Sequence, residues 1–401
     1  MKPFYLLPPS GTPITLDELA HALWSRATSG SPDLFGQKLV SLTGALSIHL
    51  VNSGRTAQYL LMKGMADIAG HQRNEVVMPA YTCFSVAASV TRAGLKIRLV
   101  DIDPLTMDYR YDELETIDFS NVLAITACNL FGIVSNWERL LSIGRTKNVF
   151  LIDDAAQSLG ASHAGRISGT FGDGGFYSLD RGKNLSTYAG GVIVTSDQRL
   201  GEYLDSAIKA FPSPGVITGL ALLVKLLLYK LFLHPRFYWF PNLLPFLGLG
   251  ETEYNPDFPI AKLSRLQQSL GALVIDRLSS LTQTRRDNAR KLAEPILATG
   301  RFQIAGYSET DCPAYLRLPV LAPDSTTRDR MVMSLRHAGV MSSTMYPSTI
   351  AAIPELRSLL VNPEAPFPGA ARVVACLFTL PTHPYVRDKD VARIVSCLCE
   401  G

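Results

Sequence analysis

The sequence predicts an α/β fold, a mostly parallel central sheet with helices on both faces, followed by a smaller C-terminal α+β unit. Three observations carry that expectation. Between about residues 41 and 195, short apolar runs bounded by turn residues alternate with segments of helical periodicity. The run VFLIDDAAQSLG places acidic residues directly at the end of a buried strand, where open α/β sheets bind ligands. From about residue 301 onward, short strand-like and helical segments mix and finish in a helix over 389–399.

In chain order, strands are expected at 75–78 (EVVM), 97–100 (IRLV), 122–126 (VLAIT), 149–152 (VFLI), 175–178 and 192–195. Helices are expected at 55–69, at 85–93 and, as one long element, at 261–281, followed by the basic helical stretch TRRDNARKL. The expected organisation is an N-terminal arm over 1–40, a large α/β domain over 41–280 with an apolar insertion at 211–250, and a small α+β domain over 281–401.

Composition narrows the function classes. In 401 residues, Lys+Arg 38 against Asp+Glu 35 leave a net charge of +3, and like charges form no long run, so nucleic acid is not an expected partner. Hydrophobic residues reach 47% while charged residues are 18%, which excludes a disordered chain. The mean hydropathy of +0.14 is high for a soluble enzyme. Cys83, Cys128, Cys312, Cys376, Cys397 and Cys399 form no CxxC pair and no metal-ligand spacing, so no metal is expected, and a reducing cytoplasm is. The first residues lack the uninterrupted apolar core of a signal peptide, so the mature protein is expected to start at or near Met1.

Three local patterns point to chemistry. Lys183 stands in a polar loop, LDRGKNLSTYAGG, that leaves one strand and enters another. Asp153 and Asp154 end the strand before it, with Gln157 close behind. Ser53, Gly54, Arg55 and Thr56 open a helix whose first N–H groups can hold a phosphate. An imine-forming lysine, a carboxylate for a pyridinium nitrogen and a phosphate cradle are the parts that pyridoxal 5'-phosphate requires.

With these motifs in order, the chain resembles the DegT-type (DegT/DnrJ/StrS) sugar aminotransferases of fold-type I. The resemblance rests on SGRTA at 53–57, PAYTCFSVA at 79–87, DIDP at 101–104, NLFG at 129–132, DDAAQSLGA at 153–161 and GTFGDGGFYS at 169–178. The lysine loop, RLQQSLGAL at 265–273, the Tyr346-Pro347 pair and LPTHP at 380–384 extend it. It implies that Lys183 is the Schiff-base lysine and proton carrier, that Asp154 holds the pyridine nitrogen protonated, and that Gln157 lies near the phenolic oxygen. Ser178 and Thr56 would donate to the phosphate, with Gly54 and Arg55 beside them, whereas Asp153 reads as a solvated or capping carboxylate. Cys83 occupies the place of the family's ring-stacking aromatic, so that Tyr81 or Phe84 is left to stack instead. Asn129 stands where histidine is frequent, and Ile260-Ala261-Lys262 replaces an asparagine–arginine motif for which Asn255 is a candidate substitute.

The implied reaction is transamination from an amino acid, glutamate, to a keto-sugar carried on a nucleotide or a lipid. It would serve surface polysaccharide or glycoconjugate assembly, in a homodimer with shared sites. Related sugar dehydratases carry histidine at the lysine position, so Lys183 favours transamination. The alternatives are such a dehydratase or lyase, or a catalytically silent membrane scaffold.

The insertion accounts for much of the apolarity. Residues 216–233 match the shortest membrane span, but Lys225 and Lys230 interrupt them and Pro235 follows. With the cluster RFYWF and the tail FPNLLPFLGLG, residues 216–249 read as a surface anchor on the inner face of the membrane, with a dimer or substrate-entrance cover as the competing reading.

Overall fold

The computed structural model describes residues 4–28, 33–243, 253–307 and 312–399. Its central sheet contains β1 (Ser47–Val51), β2 (Glu75–Pro79), β3 (Lys96–Val100), β4 (Val122–Cys128), β5 (Phe150–Asp154), β6 (Gly174–Ser178) and β7 (Gly191–Thr195). Their spatial order is β1-β7-β6-β5-β4-β2-β3. β6, β5, β4, β2 and β3 run parallel, while β7 is antiparallel to both β6 and β1. Every residue of β2, β4, β6 and β7 is buried, as strands covered on both faces require.

The helices are α1 (Leu16–Thr28), α2 (Leu34–Thr43), α3 (Gly54–Ile68), α4 (Phe84–Arg92), α5 (Trp137–Lys147), α6 (Gln198–Lys209), α7 (Val216–Leu233), α8 (Arg265–Val274), α9 (Leu278–Ala298), α10 (Ser325–His337), α11 (Pro368–Cys376) and α12 (Asp388–Cys399). Side-chain alternation along the strands divides the sheet's two faces. Val76 and Met78 pack with Leu61 and Met65 of α3 and Val90 of α4, whereas Val77 between them packs with Trp137 and Leu140 of α5. α1, α2 and α8 cover Val192 and Val194 of β7. A second sheet of β8 (Gln303–Ile304), β9 (Arg317–Leu321) and β10 (Leu377–Pro381) is antiparallel and packs on α9, α10 and α12.

The long helix expected over 261–281 is broken. Residues 261–263 run extended beside the end of β1, where the Asn52 N–H donates to the Ala261 carbonyl at 3.0 Å and Lys262 bridges Val51. Ser264 then starts α8 with a reciprocal capping box to Gln267. α9 runs continuously from a large-sheet cluster at Leu278 to the small-sheet cluster at Ala289 and Ile296, so the boundary expected at 280 falls inside a helix. The N-terminal arm touches both units: Leu7 bonds Gly339 and Met341 in the small one, while Leu19 and Ala22 pack with Leu266 and Leu270 in the large one. The insertion folds as α7 and a turn through residue 243, and the 244–249 part of the expected anchor lies outside the described residues. Among the described residues, no helix is long and apolar enough to cross a membrane.

One of the joints between the two sheets is a buried carboxylate. Asp101, after β3, accepts the Gly369 N–H at 2.7 Å and the Ala370 N–H at 2.8 Å, which are the orphan donors of α11. Asp101→Ala is expected to lower unfolding free energy by about 2 kcal/mol in a urea titration, because it strands buried donors. A Cβ on Gly369 would stand 1.8 Å from the Ile102 carbonyl oxygen, so Gly369→Ala is expected to disrupt the same joint more severely.

Candidate active site

The site forms at the carboxyl ends of β4, β5 and β6, where the α3 N-terminus reaches the sheet. Gly191 lies so near that a Cβ there would stand 2.2 Å from the Ser53 carbonyl oxygen, and a Cβ on Gly54 would stand 3.1 Å from Ser178 Cβ. Glycine at both places lets the helix start settle on the strand ends. The Ser53 hydroxyl accepts the Thr56 N–H at 3.1 Å, which leaves the N–H groups of Gly54 and Arg55 without an intrahelical acceptor. Together with the helix dipole and the Ser178 hydroxyl they make an anion cradle.

The cradle opens into a cavity of about 840 Å3 lined by Gly54, Arg55, Cys83, Asp154, Gln157, Ser178 and Lys183. Seven of the eight residues predicted from the sequence therefore converge there. Thr56 does not: it is fully buried, and its hydroxyl donates to Asn52 Oδ1 at 2.8 Å, which fastens the cap rather than facing the cavity. Tyr81 and Phe84 do not line the cavity either; their rings pack on Tyr346 at 5.3 and 6.3 Å. In that segment the cavity is lined by Thr82, Cys83, Ser85 and Val86.

The adjacent carboxylates at the end of β5 have separate environments. Asp153 accepts from Asn129 Nδ2 at 2.7 Å, Gly169 N–H at 2.7 Å and Phe171 N–H at 3.1 Å, so it braces the 169–171 loop. Burial pushes it up to about 7 against those donors. Asp154 lines the cavity, accepts the Ala156 N–H at 3.0 Å and takes a hydrogen bond from the Cys128 thiol. Burial pushes it up to about 6, while the Ala156 bond and the Lys183 ammonium pull it down. A buried carboxylate at a cavity wall is stabilised by a cationic N–H donor, which is what a protonated ring nitrogen offers. The cradle, Asp154 and Lys183 therefore fit pyridoxal phosphate on their own chemistry.

Gln157 donates from Nε2 to the Tyr346 hydroxyl at 3.0 Å and accepts the Phe131 N–H at 3.1 Å, so its side chain is fixed at the wall. Lys183 has no ion-pair or hydrogen-bond partner for its ammonium among the described residues. Its backbone is held from behind, where the Thr12 hydroxyl bonds the carbonyls of Lys183 and Asn184 at 2.8 and 2.9 Å. Arg285, fully buried and pulled down to about 10 by burial, donates to Thr12 Oγ1 at 3.2 Å and to the Gly11 carbonyl at 2.9 Å. Asn129 lines the cavity, but its amide is spent on Asp153 and on the Ser135 N–H. Asn255 is exposed, accepts the Asp257 N–H and is absent from the lining.

Several residues escaped sequence reasoning. Thr12 and Arg285 carry no motif, and TRRDNARKL reads as a solvated basic stretch. Asn52 stands directly before the cap, and Tyr188 directly before the Ala189-Gly190-Gly191 motif, so position next to a motif was the available signal. The insertion also reaches the site: Thr218, Ala221, Leu222 and Lys225 of α7 form one wall. Lys225 Nζ and Arg181 Cζ lie 6.0 and 5.3 Å from the centre of the Tyr188 ring, and Tyr188 holds a left-handed φ of 75°. Arg55, Arg181, Lys183, Lys225 and Lys262 face only Asp154 and Asp180 around the cavity, which favours an anionic ligand.

The model of the DegT/DnrJ/EryC1/StrS aminotransferase family matches residues 15–216 and 260–399. The GDP-perosamine synthase of Caulobacter vibrioides is 27% identical over 349 residues, covering 86% of this chain and 83% of that protein. Among solved structures, Helicobacter pylori PseC, an aminotransferase involved in pseudoaminic acid biosynthesis, superposes with a TM-score of 0.80 at 17% identity, covering 98% of both chains. The Escherichia coli GDP-4-keto-6-deoxy-D-mannose-3-dehydratase with bound hydrated PLP superposes with a TM-score of 0.78 at 17% identity, covering 98% of this chain and 99% of that one. The chain thus belongs to the DegT/DnrJ/EryC1/StrS aminotransferase family, and it is a fold-type I, pyridoxal-phosphate-dependent enzyme.

Proposed function

We propose that this enzyme moves the amino group of glutamate onto the carbonyl carbon of a keto-sugar, releasing the 2-oxo acid and an aminosugar for surface polysaccharide or glycoconjugate assembly. The observation that carries the reading is Lys183, unpaired among the described residues, sharing one cavity with the buried Asp154. The cationic lining suits a sugar held on a phosphate-bearing nucleotide or lipid carrier.

Pyridoxal phosphate, when bound, supplies an electron sink for negative charge developing at the carbon that gains or loses the amino group. Gly54 and Arg55 N–H groups with the Ser178 hydroxyl would hold its phosphate. Asp154, ionised, would keep a proton on the ring nitrogen. Lys183 Nζ would take the proton from the α-carbon of glutamate in the first half-reaction and deliver a proton to the sugar carbon in the second. A histidine at that position could not form the covalent link to the cofactor, which is why lysine supports transamination over the dehydratase alternative.

This reading includes a homodimer with shared sites, working in the cytoplasm against the inner face of the membrane through 216–249. The membrane part is supported by the exposed apolar outer face of α7.

Purified enzyme is expected to absorb near the visible edge and to shift on addition of glutamate. Lys183→Ala should lose both features and reduce turnover by roughly 10³-fold or more. Wild type without bound cofactor, or a Lys183→Ala enzyme that still turns over, would sink the reading. A sugar product lacking nitrogen would instead indicate the dehydratase.

The pH dependence has a definite sign. Asp154 stands at about 6, so it is ionised at pH 7.5 and gains a proton below 6. Protonation removes its ionic hold on the ring nitrogen. Cofactor affinity in reconstitution titrations is therefore expected to fall as pH drops below 6, approaching about tenfold per unit. Asp154→Ala should bind more weakly throughout and show no such dependence.

A further inference from the structure

The family model leaves residues 217–259 unmatched, a stretch that holds nearly all of α7 and the turn after it. Ile217, Leu220, Val224, Leu227, Leu228 and Leu231 follow the spacing of one helical face, and all are exposed, Ile217 by 86% and Leu220 by 64%. The opposite face, with Leu222, Leu226 and Leu233, is buried. The outer stripe continues into an aromatic end, because Phe232 stacks on Phe240 at 5.7 Å and Trp239 meets Phe4 at 5.2 Å.

The charge at that end has one sign. Between residues 206 and 250 there is no Asp or Glu, while Lys209, Lys225, Lys230 and Arg236 are present. Beside the aromatic end lies a cavity of about 420 Å3 lined by Phe4, Tyr5, Arg236, Phe237, Arg387 and Lys389. It adjoins a second of about 310 Å3 that shares Tyr5, Arg236 and Arg387 and adds His234. Among the described residues, no carboxylate lines either one. Arg236 and Lys389 have no ion-pair partner among the described residues, while Arg387 donates to the Tyr5 hydroxyl at 2.8 Å and reaches the buried Asp390 at 3.4 Å. His234 is held below its ordinary value by burial and by the field of Arg236, Arg387 and Lys230.

We propose that α7 and the 234–243 turn dock on an anionic bilayer, with the cavity between Arg236, Arg387 and Lys389 receiving the phosphate of an anionic phospholipid headgroup. The proposal rests on the membrane-surface part of the proposed function and gives it a partner and a site. An apolar stripe alone would equally suit a second copy of this chain. The charge decides: two copies meeting through this face would bring together surfaces whose flanking charges, Lys230 and Arg236, have one sign and no acidic residue between 206 and 250 to pair with, whereas an anionic surface complements them. Aromatic side chains at one end of an apolar helix, with basic groups at the same level, match the headgroup layer.

The test is co-sedimentation of the cofactor-loaded enzyme with vesicles of phosphatidylcholine alone or mixed with phosphatidylglycerol. Wild type is expected to bind the mixed vesicles at least tenfold more tightly. Arg236→Glu with Lys389→Glu should lower binding to the mixed vesicles at least tenfold, with the glutamate-induced absorbance shift unchanged as evidence of folding. Leu220→Ser with Leu227→Ser should weaken binding to both kinds of vesicle. Equal binding of wild type to both, or a charge-reversed variant that binds like wild type, overturns the headgroup site and leaves the membrane reading standing. Wild type that binds neither overturns both. Displacement from mixed vesicles by low millimolar inorganic phosphate would identify a free anion as the ligand and overturn the docking proposal. A dimer that becomes monomeric in the Leu220→Ser, Leu227→Ser variant would show a second copy to be the occupant, with the same consequence.

Discussion

Two neighbouring carboxylates at the end of β5 have to be kept apart, and the active site depends on how the sheet does it. Strand alternation sends consecutive side chains to opposite faces, so Asp153 and Asp154 cannot share one environment. Asp153 is enclosed and takes three donors, from Asn129, Gly169 and Phe171, which ties β4 and the 169–171 loop to β5. That loop leads directly into β6, whose last residue, Ser178, is part of the anion cradle. Asp154 retains cavity-facing surface and is held only by the Ala156 N–H and the weakly donating Cys128 thiol, so its charge remains available to a ligand. One acid is used to place the strand ends, and the other acts in the space that placement creates.

The lysine is positioned by a similar division of labour. A side chain that carries protons must move, yet its Cα must not. The 179–190 loop is closed by Leu179 and Gly190 at 2.9 Å, and its middle is held by Thr12 from the N-terminal arm. Thr12 is in turn fixed by Arg285 on α9, which also donates to the Leu316 carbonyl before β9. The arm, the large sheet and the small sheet thus meet behind Lys183. A buried arginine without a carboxylate partner costs desolvation energy, and here it is spent on three acceptors that define the rear of the site.

Much of the fold was legible in the sequence because buried parallel strands are continuous apolar runs. EVVM, VLAIT and VFLI each fall within a strand or one residue of it, and the helix start at SGRTA is a cap that glycine and serine announce. β1 was not legible: SIHLV sits at the sheet edge with a buried histidine, and its pairing with β7 is a non-local event. The 261–263 break was hidden for the same reason, since only the neighbouring end of β1 makes an extended segment there favourable. Of the site, positions carried by motifs came together, while Thr56 fell on the wrong side of its helix turn. A hydroxyl at the third helical position can bond backward to Asn52 as readily as it can face a ligand, and sequence does not record that choice.

The insertion was legible as apolar and illegible as part of the site. Helical geometry explains both. On a helix with buried residues on one edge and an outer stripe on the other, residues between the two must face sideways, and on α7 Thr218, Ala221 and Lys225 do so at the cavity wall, where Leu222 of the buried face joins them. α7 therefore carries both the outer stripe and one wall of the cavity. Lys225 and Arg181 meet at the Tyr188 ring, 6.0 and 5.3 Å from its centre, so the helix contributes to the positive lining there. One helix thus carries both the surface proposed to dock and part of the cationic lining proposed to receive an anionic substrate.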